Sequence, residues 1–110
     1  MEERAYKLRY LSLFEDDLSK IINYIVFKLK NHQAADNLIY NIETAIMDRL
    51  KNAESFEPYQ PTKDRKHPHY RIYIKNYIIY YVVIYDKAED IKTMEVRRIL
   101  YNKRDKGNLI

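Results

Sequence analysis

The sequence has no cysteine and only one glycine. Without cysteine there is no disulfide framework and no thiolate metal site, which agrees with a reducing compartment. A lone glycine leaves no Gly-rich loop to cradle phosphate, and no H-E-x-x-H, paired-carboxylate or nucleophile-elbow pattern is present. Metal catalysis and nucleotide hydrolysis therefore have no basis, and neither a metal nor a cofactor is expected. The longest apolar run, Tyr77 to Tyr85, is far short of the roughly 20 residues needed to cross a bilayer. The opening MEER has no signal-peptide core. A cytoplasmic chain with no membrane segment is expected.

What the sequence does contain is aromatic and charged. The 110 residues suit one domain, 1–110, with one core, and 46% hydrophobic with 33% charged residues is an ordinary globular balance. Tyrosine is abundant, with 12 copies. The net charge of +4 is unevenly spread: Met1 to Glu57 carries 8 basic and 10 acidic residues, whereas Pro58 to Ile110 carries 12 and 6. The basic second half suits an anionic partner, either nucleic acid or an acidic protein, or is simply a solvated surface.

Periodicity divides the chain. Tyr6, Leu8 and Tyr10 alternate with polar neighbours in a short opening strand. Ser12 stands three residues before Glu15 in a capping-box pattern, with Asp16 and Asp17 read into the first turn. Phe14, Leu18, Ile21, Ile22, Ile25, Val26 and Leu29 then line one helical face. Asn31 and His32 interrupt, and Ala35 to Leu50 carries a second apolar stripe. So short a connection predicts an antiparallel helix hairpin. Glu54 to His69, which holds all three prolines, reads as a long loop of functional interest. Tyr70 to Lys75, Tyr77 to Tyr85 and Thr93 to Tyr101 read as strands joined by tight turns. The predicted fold class is α+β: an N-terminal strand, an antiparallel helix hairpin and a three-stranded antiparallel meander, with the helices packed on one face of a single sheet.

Strand alternation sends Tyr70, Ile72 and Ile74 toward the helices and Arg71, Tyr73 and Lys75 outward. The last strand is ambiguous, because Met94, Val96, Arg98 and Leu100 share one face and Glu95, Arg97, Ile99 and Tyr101 the other. Arg71, Lys75, His67, His69, Tyr101, Lys103 and Arg104 together offer groups that metal-free RNA cleavage needs. Such cleavage removes a 2′-hydroxyl proton, stabilises a pentavalent phosphate and protonates the leaving oxygen, and arginine's fork of donors suits the second task. The competing reading makes the tyrosines strand packing with a wet hydroxyl and His67 and His69 plain surface residues.

YKLRYLSLFEDDLSKIINYI, YRIYIKNYIIYYVV and the closing VRRILYNKRD, in this order around the helix hairpin and proline-containing loop, resemble the RelE/ParE superfamily of bacterial type II toxins. The resemblance covers nearly the whole chain. It implies a small α+β toxin that assembles with a cognate antitoxin in a plasmid-stabilisation type of module. Two activities occur on that fold. RelE-like members are metal-independent endoribonucleases (mRNA interferases) that cut mRNA on the ribosome, and ParE-like members block DNA gyrase without cutting nucleic acid. A third possibility is an inactive homologue that only binds. Carried over by motif, the nuclease reading assigns catalysis to Arg71, Lys75, Tyr101 and Arg104, and RNA binding to His67, His69, Tyr73, Arg98 and Lys103. RNA cleavage is the favoured expectation, with gyrase inhibition its alternative.

Overall fold

The computed structural model describes residues 6–59 and 67–102. The chain runs β1 (Lys7–Tyr10), α1 (Ser12–Asn23), a π-helical turn (Tyr24–Lys28), α2 (His32–Leu50), β2 (His69–Ile74), β3 (Tyr77–Asp86) and β4 (Ile91–Tyr101). The four strands form one sheet in the order β1-β4-β3-β2. β2, β3 and β4 make the predicted antiparallel meander, and β1 lies parallel to β4 at the opposite edge from β2. The helices cover one face of the sheet.

The start of α1 differs from the predicted capping box. Ser12 is already helical, and the N-cap position falls to Leu11, whose side chain cannot cap. Leu11 instead serves two elements: its N–H donates to the Val96 carbonyl, extending the β1–β4 ladder, while its carbonyl accepts from Phe14 and Glu15. Asp16 and Asp17 consequently lie beyond the first turn, which holds Glu15 alone of the acids. α2 begins at His32, with Asn31 Oδ1 accepting from the Ala34 N–H at 3.0 Å, a cap worth about 1 kcal/mol.

The ambiguity in β4 is resolved by a bulge. Val96 pairs with Tyr81 but Arg98, not Arg97, pairs with Tyr80. The extra residue shifts the phase, so Met94, Val96 and Ile99 all join the core. They meet Ile79, Tyr81 and Val83 from β3, Tyr70, Ile72 and Ile74 from β2, and Phe14, Ile25, Leu38, Ile42 and Ile46 from the helices. Each large apolar side chain so buried contributes about 1.5–3 kcal/mol.

The segment after α2 is pinned to this core. The buried Tyr81 hydroxyl donates to the Ala53 carbonyl at 2.7 Å and accepts from Arg49 at 2.9 Å, while Glu54 accepts from Tyr6 and Lys92. Of the predicted long loop, Tyr59 returns to the sheet, its N–H donating to the His69 carbonyl at 2.8 Å. That bridge places Tyr59 beside the edge strand β2.

Candidate functional site

The sheet face turned away from the helices is built by the alternate residues of the strands. Arg71 is half-buried there, its guanidinium carbon 4.5 Å from the centre of the Tyr59 ring and 5.9 Å from that of Tyr73. Tyr59 in turn meets His69 and Tyr80 edge-on, at 5.8 and 5.9 Å between ring centres. His69 is buried, contrary to its reading as a plain surface residue. The reason is Tyr59, which covers it, and its Nδ1–H donates to the His67 carbonyl at 2.8 Å. Burial raises the Tyr59 phenol above its ordinary range, and Tyr80 adds to the rise, while Arg71 and Arg97 pull the other way. A neutral Tyr59 under a cationic Arg71 is a cation–π stack.

The other cations here are already paired. Glu95, almost fully buried, accepts from Arg9 at 2.7 Å and from Arg97 at 2.9 Å. Burial would raise its carboxyl, but the two arginines outweigh that and hold it below the usual carboxylate range. Arg98 makes a two-pronged pair with Asp17 of α1, both contacts at 2.8 Å. Asp17 also accepts the Ile99 N–H at 3.1 Å, so its carboxylate meets an edge amide beyond the end of β1. These bonds, Arg98 foremost, hold Asp17 below the usual range against the opposing effect of burial.

The remaining predicted residues are dispersed. Lys75 does not extend the outward row of Arg71 and Tyr73. β2 ends at Ile74, and Lys75 occupies the turn with φ 47°, a left-handed conformation that breaks strand alternation. It lines a cleft of about 300 Å³ with residues of the helix hairpin. Tyr101, shifted by the bulge, pairs with Tyr77 and lines a cleft of about 480 Å³ with Lys20, Ile21 and Tyr24 of α1 and its π turn. Tyr101 thus lies on the helix side of the sheet and Arg71 on the other. Tyr73 is exposed, and His67 is partly so. Lys103 and Arg104, and the loop cations Lys63, Arg65 and Lys66, lie outside the described residues.

A metal-free RNA cleavage centre needs an acid, a base and a phosphate-stabilising cation within hydrogen-bond reach of one scissile group. Among the described residues, Arg71 and Tyr101 do not share a face and Arg98 is held by Asp17. What the outer face does offer is a surface of mixed character. Tyr73 and Leu100 are exposed, Ile78 and Val82 are buried although they point away from the helices, and Arg71 has no carboxylate partner among the described residues. No group of three His, Cys, Asp or Glu side chains fit to hold a metal occurs among the described residues, and no helix there is long and apolar enough to cross a membrane.

Sequence reasoning missed Tyr59, Tyr80 and the Asp17 partner of Arg98. Tyr59 lay in a loop without periodicity, and Asp17 is 81 residues from Arg98, a separation no local pattern spans. Comparison with known proteins adds the remaining finding. The profile of the family described as "ParE toxin of type II toxin-antitoxin system, parDE" matches residues 8–106. No curated protein sequence matches the chain.

Proposed function

The chain belongs to the ParE toxin family of type II toxin-antitoxin systems, and from that premise we propose that it arrests growth by binding DNA gyrase in the cytoplasm rather than by cutting mRNA. The family implies a cognate antitoxin as its neutralising partner. The observation that supports the gyrase reading is the separation of the residues assigned to RNA chemistry. Arg71 stacks on Tyr59 on the outer face, Tyr101 lies on the helix side, and Arg98 is committed to Asp17. Cleavage by proton transfer requires those groups around one phosphate. Binding to a protein makes no such demand. It draws on exposed aromatic and aliphatic residues beside an arginine, as Tyr73, Leu100 and Arg71 provide.

The double variant Arg71→Ala/Tyr101→Phe separates the two activities in cells. For a gyrase inhibitor, the Tyr101→Phe change is silent and Arg71→Ala weakens arrest at most about tenfold in inducer dose, the loss of a single interface arginine, with mRNA intact throughout. For a nuclease, wild-type induction cuts ribosome-associated mRNA and the double variant abolishes both the cuts and the arrest. An inactive homologue gives no arrest with either protein.

A further inference from the structure

We propose that the cleft between α1 and α2, at the end where β1 passes into α1, is a binding site for a small, ring-bearing primary ammonium compound. The cleft has a volume of about 210 Å³ and shares no residue with the two clefts described above. Its floor is Phe14, Ile42 and Ile46, all buried in the core, and Leu18 and Ile39 stand half-buried at its sides. The Tyr10 ring stacks on Phe14, with 5.3 Å between centres and 21° between planes, and makes an aromatic wall that reaches the surface. An apolar hollow with a few polar groups at its mouth is the usual composition of a small-molecule site.

Size sets the body of the ligand. An apolar cavity of about 150 Å³ holds one benzene ring. About 210 Å³ therefore takes a ring with a short arm and is too small for a long alkyl chain.

Charge sets the head group. The polar groups lining the cleft are the Glu15 and Glu43 carboxylates, one from each helix, and the Tyr10 hydroxyl. Both glutamates are exposed, and neither has a hydrogen-bond or ion-pair partner among the described residues. Glu43 is felt across the mouth: burial foremost, and then this carboxylate, raise the Tyr10 phenol above its ordinary range. The helical walls carry the same sign beyond the cleft. From Leu11 to Ser19 and from His32 to Asp48 there is no lysine or arginine, whereas Glu15, Asp16, Asp17, Asp36, Glu43 and Asp48 all fall there. Of these, Asp17 is neutralised by Arg98. On a chain of net charge +4 this end of the hairpin is thus a local negative field. An ammonium between Glu15 and Glu43 gains both carboxylates and the Tyr10 ring, and an anion is repelled. The inference is independent of the toxin's target.

NMR titration of the full, methyl-labelled chain with phenethylammonium tests it. The methyl signals of Leu18, Ile39, Ile42 and Ile46 shift together and saturate, with a dissociation constant of about a millimolar, the range of so small a ligand. Phenethyl alcohol, the neutral analogue, shifts the same signals about tenfold more weakly, and the anion hydrocinnamate moves none of them. Glu15→Gln and Glu43→Gln each weaken the ammonium compound about threefold, the scale of one exposed ion pair, and leave the alcohol unchanged. Unchanged melting temperatures without ligand establish that both variants fold. Absence of saturable shifts, shifts confined to another surface, equal or tighter binding of the alcohol or the anion, or variants that bind the ammonium as the parent does overturns the proposal. So does tighter binding of the capped peptide Gly-Phe-Lys-Gly, which makes the cleft a protein-docking groove instead.

Discussion

Asp17 shows how much a single residue can organise in this protein. Its carboxylate binds the Arg98 guanidinium twice and accepts the Ile99 N–H, joining α1 to the last strand where β1 has ended. Hydrogen bonds to a charged group contribute about 1.5–3 kcal/mol, so Asp17→Ala should destabilise by about 2–3 kcal/mol in urea denaturation, and Asp17→Asn by less. The pH dependence follows from its depressed titration. Asp17 stabilises the fold fully above the ordinary carboxylate value, roughly 4, and the contribution disappears as pH falls through its lower folded value. Glu54 and Glu95 are depressed too, so stability drops below about pH 4, and the drop is shallower in Asp17→Asn. Tyr81 gives the opposite limb. Burial pushes its phenol up to about 12, with Arg49 opposing the shift. A folded value above the unfolded one near 10 means that stability is complete below about pH 10 and is lost as pH rises toward the folded value. Thermal melts between pH 8 and 11.5 should show that fall, and Tyr81→Phe should lessen it while costing about 1–2 kcal/mol at pH 7 through the orphaned Ala53 and Arg49 partners.

At the scale of elements, local pattern was enough where one face of an element meets the core. The first stripe from Phe14 to Val26, buried positions of α2 such as Leu38, Ile42 and Ile46, and Tyr70, Ile72 and Ile74 of β2 pack as their spacing implies, whereas Leu29 is exposed and Lys75 leaves the strand. It was insufficient where a third partner intervenes. The capping-box residues yield to Leu11 because β1 passes into α1 without a break. The mixed faces of β4 need an extra residue at Arg97 to bring Ile99 inward, and a bulge has no sequence mark of its own here. Its role predicts an asymmetry between two single-residue deletions. Removing Arg97 makes the ladder regular while Met94, Val96 and Ile99 stay inward, so the protein should still unfold cooperatively, about 1–2 kcal/mol less stable for losing one partner of Glu95. Removing Val96 puts Arg97 opposite Tyr81 in the core, an unpaired buried charge of about 3–5 kcal/mol or more, and should abolish the thermal transition seen by circular dichroism. The site fared as the strand did. Alternation in β4 leaves the side of Tyr101 open although its chemistry groups it with Arg71, and the bulge puts it on the helix side.

For the whole molecule, the charge asymmetry visible in the sequence turns out to be distributed over several surfaces. Arg9 and Arg97 neutralise Glu95, Arg98 neutralises Asp17, and Lys92 neutralises Glu54. Of the cations without a salt bridge among the described residues, Arg71 stands on the outer face, Lys75 in the β2–β3 turn and Lys20 on α1. That dispersal among the described residues supports the proposed gyrase-binding reading over chemistry that gathers groups around one phosphodiester. The most direct measurement combines two readouts on the purified chain: supercoiling of relaxed plasmid by gyrase, and the integrity of an mRNA translating on ribosomes, at matched toxin concentrations. The account predicts that supercoiling is inhibited in proportion to toxin while the message stays full-length. A message cut on the ribosome with supercoiling unimpaired would contradict it.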